Sequence, residues 1–239
     1  MHNIRLRYSA LICVTLLFFF SCTTGDNRLT DAERKAGWVL LFDGKSTEGW
    51  HLYNKGKIPS AWTVKDGVLS CDFESKSAHG DLVTDKEFEN FELDFEWKIA
   101  KGGNSGVFIN VLERPDLSAA WASGPEYQLL ENTNRDTADA VKRSGALFGF
   151  LAPQQAVETK PAGEWNQSKT IQSNGRIEFY LNGILTVKED LSSQDWLDRI
   201  GQHSFFKNLP EFGRKTAGHI VLQEWLNGIS FRNVKIRTL

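Results

Sequence analysis

Apolar and polar residues alternate through Glu92-Leu93-Asp94-Phe95-Glu96-Trp97-Lys98-Ile99, the period of a strand with one buried face. A glycine loop, Lys101 to Gly106, separates this run from Val107-Phe108-Ile109-Asn110-Val111. A third run, Glu126-Tyr127-Gln128-Leu129-Leu130-Glu131-Asn132, follows Gly124-Pro125. Three such runs hinged by glycines predict paired antiparallel strands. On the third, alternation puts Glu126, Gln128 and Asn132 on one face and Tyr127 and Leu129 on the other. A carboxylate and amides near Asn104-Ser105 would suit a polyhydroxylated ligand.

The same pattern extends in both directions. Trp38 to Phe42 predicts a buried strand stopped by Asp43-Gly44, and Asp81 to Thr84 another. Asp66-Gly67 and Asn182-Gly183, each between apolar runs, predict tight hairpins for 62–71 and 176–187. Gly145 to Phe150, Gly218 to Gln223 and Ile229 to Ile236 complete the predicted strands. Helix is expected in two places. Thr30 with Glu33 makes a capping box for a short helix ending near Ala36, and 190–206 is a helical excursion. Regularly spaced strands with almost no long helix predict an all-β jelly-roll β-sandwich over residues 37–239, without repeats or a second domain.

The first residues read as an address. Arg5 and Arg7 precede an apolar run from Ala10 to Phe20, too short for an ordinary transmembrane helix. Ser21-Cys22 then resembles a bacterial lipobox. The expectation is a signal peptide over 1–21, lipidation at Cys22, a tether and short helix over 22–36, and a membrane-anchored protein of the bacterial cell envelope, periplasmic or at the outer membrane. Plain secretion and an uncleaved anchor are the alternatives. With Cys22 processed, Cys71 is the one cysteine left and no intrachain disulfide can form. The net charge of −2 over 239 residues gives no electrostatic case for nucleic acid. Eight Trp and sixteen Phe suit a β core and also sugar stacking.

Several motifs occur in one order: Gly37-Trp38-Val39-Leu40-Leu41-Phe42-Asp43-Gly44, Gly103-Asn104-Ser105-Gly106-Val107, Glu126-Tyr127-Gln128-Leu129-Leu130, Gly163-Glu164-Trp165-Asn166, Leu181-Asn182-Gly183 and Phe231-Arg232-Asn233-Val234. Together they resemble the bacterial 3-keto-disaccharide hydrolase family. That resemblance implies a concanavalin-like jelly roll and a carbohydrate substrate. It also implies cleavage of glycosides with a ketone at carbon 3, by elimination and then hydration. Two histidines of the family pattern are absent, one after Glu131-Asn132 and one after Leu222-Gln223-Glu224.

Elimination needs a base for the proton on carbon 2, a stabiliser for the enolate and a proton for the leaving oxygen. Glu126 is the candidate base, with a salt bridge or an exposed carboxylate as the bland alternative. Arg232 could polarise the ketone, and His219 could serve as base or ligand. His79 is a weaker candidate of that kind. Asn104, Ser105, Gln128, Asn132, Trp165, Asn166 and Gln223 are the candidate sugar contacts. A divalent metal ion could stabilise the enolate, although no compact ligand motif is present. Two other readings stay open: a glycosidase using Glu126 and Glu131, and a carbohydrate-binding lipoprotein without catalysis.

Overall fold

The computed structural model describes residues 25–239, so the expected signal peptide over 1–21 and the expected lipidation at Cys22 lie outside the described residues. The chain opens with α1 (Asp31–Lys35), whose capping box forms as expected: Thr30 Oγ1 accepts from Glu33 N at 3.1 Å and Thr30 N donates to Glu33 Oε2 at 2.7 Å. Strands β1 (Val39–Leu40), β2 (Trp50–Leu52), β3 (Trp62–Lys65), β4 (Val68–Cys71), β5 (Leu82–Phe88), β6 (Phe91–Ile99), β7 (Asn104–Val111) and β8 (Glu126–Leu130) follow. The second half holds β9 (Asn166–Ser173), β10 (Arg176–Leu181), β11 (Ile184–Asp190), α2 (Gln194–Gln202), β12 (Gly218–Leu222) and β13 (Ile229–Thr238).

The strands form two antiparallel sheets. One runs β11-β10-β9-β6-β13-β4-β3 with β1 added on β13; the other runs β2-β5-β12-β7-β8. Strands far apart in sequence are neighbours in both, which is the jelly-roll signature. Asp66 and Gly67, and Asn182 and Gly183, all take positive φ, as two-residue hairpin turns require. Alternation on β6 is complete: Phe91, Leu93, Phe95, Trp97 and Ile99 enter the core between the sheets, while Glu96 and Lys98 stay partly exposed. From the facing sheet Val107, Ile109, Tyr127, Leu129, Ile220 and Leu222 meet them. The polar tips are satisfied inside: Trp97 Nε1 donates to Ser168 Oγ at 2.9 Å, and the Tyr127 hydroxyl donates to Tyr180 O at 2.9 Å.

Three expectations change. The run Trp38–Phe42 is not a buried strand; only Val39 and Leu40 pair, and Val39 is 54% exposed. Gly145–Phe150 is a turn, because Gly145 and Gly149 both sit at positive φ and break the extended backbone. The start of the tether is docked. Asn27 Oδ1 accepts from Asn233 N at 2.8 Å and Asn27 Nδ2 donates to Gly67 O at 2.8 Å. Asp26 Oδ2 accepts from Arg232 Nη1 at 2.7 Å.

Candidate active site

The outer face of the five-stranded sheet is the floor of the main cleft, a space of about 710 Å³. Sheet register decides what it presents. Leu82, Leu222, Val107 and Tyr127 pair across β5, β12, β7 and β8 and point into the core. One step along, Asp81, Gln223, Gly106 and Gln128 continue that line on the other face, where Gln223 N donates to Gly106 O at 2.9 Å and Gly106 pairs with Gln128. The row therefore carries three polar side chains and one gap.

Glu126 fills the gap. A Cβ on Gly106 would lie 2.1 Å from Glu126 Oε1, so the carboxyl rests on the bare backbone of β7. Glycine is needed here for space, not for an unusual φ. Glu126 is only 7% exposed, and no protein donor among the described residues hydrogen-bonds its carboxyl. Burial raises its pKa well above the usual carboxylate range, and the Asp81 charge raises it further. Asp81 is itself pushed up to about 6 by burial, against a hydrogen bond from Glu224 N at 3.0 Å. Gln128 Nε2 donates to Asn104 Oδ1 at 2.7 Å, which leaves the Asn104 amide free to donate. Gln223 Oε1 is buried without a partner, an oxygen that a ligand hydroxyl would satisfy.

The walls come from distant segments. Trp121 follows β7, Lys142 and Phe148 follow β8, and His203, Phe205 and Phe206 follow α2. Ser193 caps α2, accepting from Trp196 N at 3.1 Å. Trp196, Phe150 and Phe212 then brace the wall from behind, with Phe206 and Phe212 stacked at 4.1 Å. His203 Nδ1 accepts from Phe205 N and Phe206 N at 3.1 and 3.2 Å. That fixes the tautomer and leaves Nε2 as a donor.

Of the residues expected from sequence, Asn104, Glu126, Gln128 and Gln223 meet in this cleft. The others lie elsewhere. Ser105 has the opposite parity from Asn104, so it points inward, and its hydroxyl donates to Gln223 O at 2.8 Å. Asn132 lies beyond the end of β8 and exchanges hydrogen bonds with Thr159. Asn166 is buried, with Oδ1 taken by Lys160 N and Asn182 Nδ2. Trp165 belongs to the other sheet, where Arg232 sits 4.3 Å over its ring. Arg232 is ion-paired there to Glu96 and Asp26, both at 2.7 Å, far from any ketone in the cleft. His219 shares the cleft's sheet but lies past a register shift in β12; its Nδ1 bonds Thr84 O at 2.7 Å and its ring abuts His51. His79 is bound to Glu224. Glu131 is a loop cap, bonded by Gly102 N at 2.7 Å and Thr133 N at 3.1 Å. Burial opposes its ionisation, yet these hydrogen bonds outweigh burial and hold its pKa low. The retaining pair Glu126–Glu131 is therefore not built. Among the described residues no three His, Cys, Asp or Glu side chains converge to hold a metal ion.

Asp81, His203 and the aromatic wall were not found from sequence. Asp81 precedes an ordinary apolar run, and only the strand order brings it beside Gln223.

A jelly roll with a deep cleft on one sheet, a buried carboxyl and amides along its floor is the architecture of a carbohydrate-active enzyme. Residues 37–237 match the 3-keto-alpha-glucoside-1,2-lyase-like domain, and the chain belongs to that family. It is 32% identical over 231 residues to a 3-keto-disaccharide hydrolase of Bacteroides thetaiotaomicron, covering 85% of this chain and 79% of that protein. A candidate glycosyl hydrolase structure from Parabacteroides distasonis superposes with a TM-score of 0.81 at 33% identity, over 90% of this chain and 99% of the other. A second from that organism gives 0.65 at 28% identity, over 84% and 99%. The protein is thus an enzyme of the hydrolase and lyase class.

Proposed function

We propose that this protein cleaves 3-keto-glycosides by elimination across carbons 1 and 2, followed by hydration. The observation that carries the reading is Glu126: a buried carboxyl, unbonded by protein donors, at the centre of a polar row in a cleft of about 710 Å³. A ketone at carbon 3 acidifies the proton on carbon 2. Glu126 removes that proton, the enolate forms, and the bond from carbon 1 to the leaving oxygen breaks. A carboxylate with a raised pKa is a stronger base than an ordinary one. The amide hydrogens of Asn104, whose oxygen Gln128 holds, are the donors beside it for sugar oxygens and the developing enolate charge. His203 Nε2 and Lys142, on the walls, are the donors available to the leaving oxygen. As the aglycone departs the Glu126 carboxyl exchanges its proton with solvent; water then adds at carbon 1, its released proton restoring the wall donor, and Glu126 delivers a solvent-derived proton to carbon 2. The reading also agrees with the relatives' names, which refer to keto-sugars and glycosyl hydrolysis.

The test offers the purified protein matched 3-keto and ordinary glycosides. Cleavage confined to the keto sugars is expected, with Glu126→Gln reducing kcat by at least a hundredfold while sugar binding persists. Equal cleavage of the ordinary sugars would refute the reading. The leader ending at Ser21-Cys22, read from sequence, would place this activity on the cell envelope under a lipid anchor.

A further inference from the structure

The cleft is asymmetric along β7. At one end Asn104 pairs with Leu226, next to the exposed Trp225. In the middle Glu126 covers Gly106. At the other end the buried Phe108, against which Trp121 packs, forms the base of the cleft, and the Trp121 and Phe205 rings are 5.6 Å apart. A strand rise of about 3.3 Å puts Asn104 and Phe108 about 13 Å apart; Glu126 pairs with Phe108, and its carboxyl leans back over Gly106 between them. Side-chain hydrogen-bonding groups of the floor, Asn104, Gln128 and Gln223, all lie on the Asn104 side or level with Glu126. Phe148, Phe205 and Phe206 line the cleft's walls, with the His203 ring 4.8 Å from Phe206.

Phenylalanine rings offer no donor or acceptor. A pyranose laid on these rings stacks one C–H face but buries the hydroxyls around its edge, each at a desolvation cost where no partner meets it. An apolar ring has no hydroxyl to desolvate and gains offset or edge contacts with Trp121 and Phe205. Phe205 is 51% exposed, a large apolar side chain left half in water at the rim of a cleft. A ligand would cover it.

We propose that the Phe108–Trp121–Phe205 end of the cleft is an aglycone subsite for an aromatic ring, so that the favoured substrates are keto-glycosides of aromatic alcohols and not keto-disaccharides. This rests on the elimination reading, which places the sugar over Asn104 and Gln128 and the breaking bond over Glu126. The subsite adds the direction of the substrate and the class of its leaving group.

The test compares three 3-keto-glucosides of one anomeric configuration, with benzyl, glucosyl and methyl aglycones. Benzyl alcohol is a poorer leaving group than a sugar hydroxyl, so leaving-group chemistry alone would favour the disaccharide. The subsite predicts the reverse, a kcat/KM for the benzyl glycoside roughly tenfold or more above the disaccharide, carried mainly by KM. Phe205→Ala, which truncates a half-exposed side chain, should lower kcat/KM for the benzyl glycoside about tenfold more than for the methyl glycoside. Disaccharide cleaved as well as benzyl glycoside would overturn the subsite and leave the elimination reading standing. Equal losses on all three substrates in Phe205→Ala would overturn it too. Failure to cleave any keto sugar would remove both.

Discussion

Replacing Gly106 with alanine separates the carboxyl's position from the fold's stability. The added Cβ would stand 2.1 Å from Glu126 Oε1 and 2.7 Å from both Cδ and Cγ. Ordinary contact needs about 3.4 Å or more between such atoms, so the carboxyl must retreat by more than about 1 Å. Gly106 lies in regular strand, and the clash is with one flexible side chain, not backbone. The backbone loses nothing, since alanine is easier to order than glycine by about 0.5–1 kcal/mol. Thermal unfolding should therefore move by no more than a few degrees. Catalysis should suffer far more, because a 1 Å misplacement of a reacting group costs on the order of a hundredfold. The assay pairs thermal denaturation with kcat/KM on a 3-keto-glycoside. A folded Gly106→Ala protein with activity within threefold of wild type would refute the argument that Glu126 acts from its seat on β7.

Asp81→Asn keeps an acceptor for Glu224 N but removes a charge. Asp81 is raised to about 6 in the fold against about 3.9 unfolded, so the native state loses stability as pH climbs through that window. The variant should be more stable at pH 8 by about 3 kcal/mol, and the acid limb of its kcat/KM profile should move to lower pH as Glu126 ionises more easily; an unmoved limb would count against the coupling. His51 is held at 2.8 Å by Asp85 and 2.7 Å by Glu113; burial alone would lower its pKa, but the two carboxylates win and raise it. Its stabilisation is full below about 6.5 and fades as pH rises through the folded value, so the stability difference between wild type and His51→Gln should shrink with rising pH; a constant difference would contradict this. Tyr127→Phe removes a buried hydroxyl bonded to Ser168 and Tyr180 and should cost roughly 1–3 kcal/mol in denaturant melts, yet leave specific activity of the folded protein near wild type, because its side chain lies on the face opposite Glu126.

Local chemistry revealed the elements; the site needed the register. The β6 alternation and the Asp66-Gly67 and Asn182-Gly183 turns are short-range signals, and each matched what forms. Glu126 and Gln128 were also legible, since alternation alone puts them on one face. Ser105 shows where such reasoning stops: it is one residue from Asn104, and one residue is the difference between the cleft and the core. Trp165 and Arg232 sit in shared motifs, yet those motifs build the other sheet, where an ion pair and a stacked ring consume both. Asp81 joins the polar row only through β5–β12 pairing, more than a hundred residues apart in sequence. The aromatic wall is drawn from three separate segments, so no window of sequence contains it.

The central claim is that bond cleavage begins with loss of the proton on carbon 2 to Glu126. Running the reaction in heavy water and reading the released keto sugar by NMR at early times tests it directly. Elimination followed by hydration, with the Glu126 carboxyl exchanging with solvent while the aglycone leaves, predicts one deuterium at carbon 2 for each bond cleaved, and no deuterated product from Glu126→Gln. Product that keeps its original hydrogen at carbon 2 would contradict the mechanism and point to direct hydrolysis.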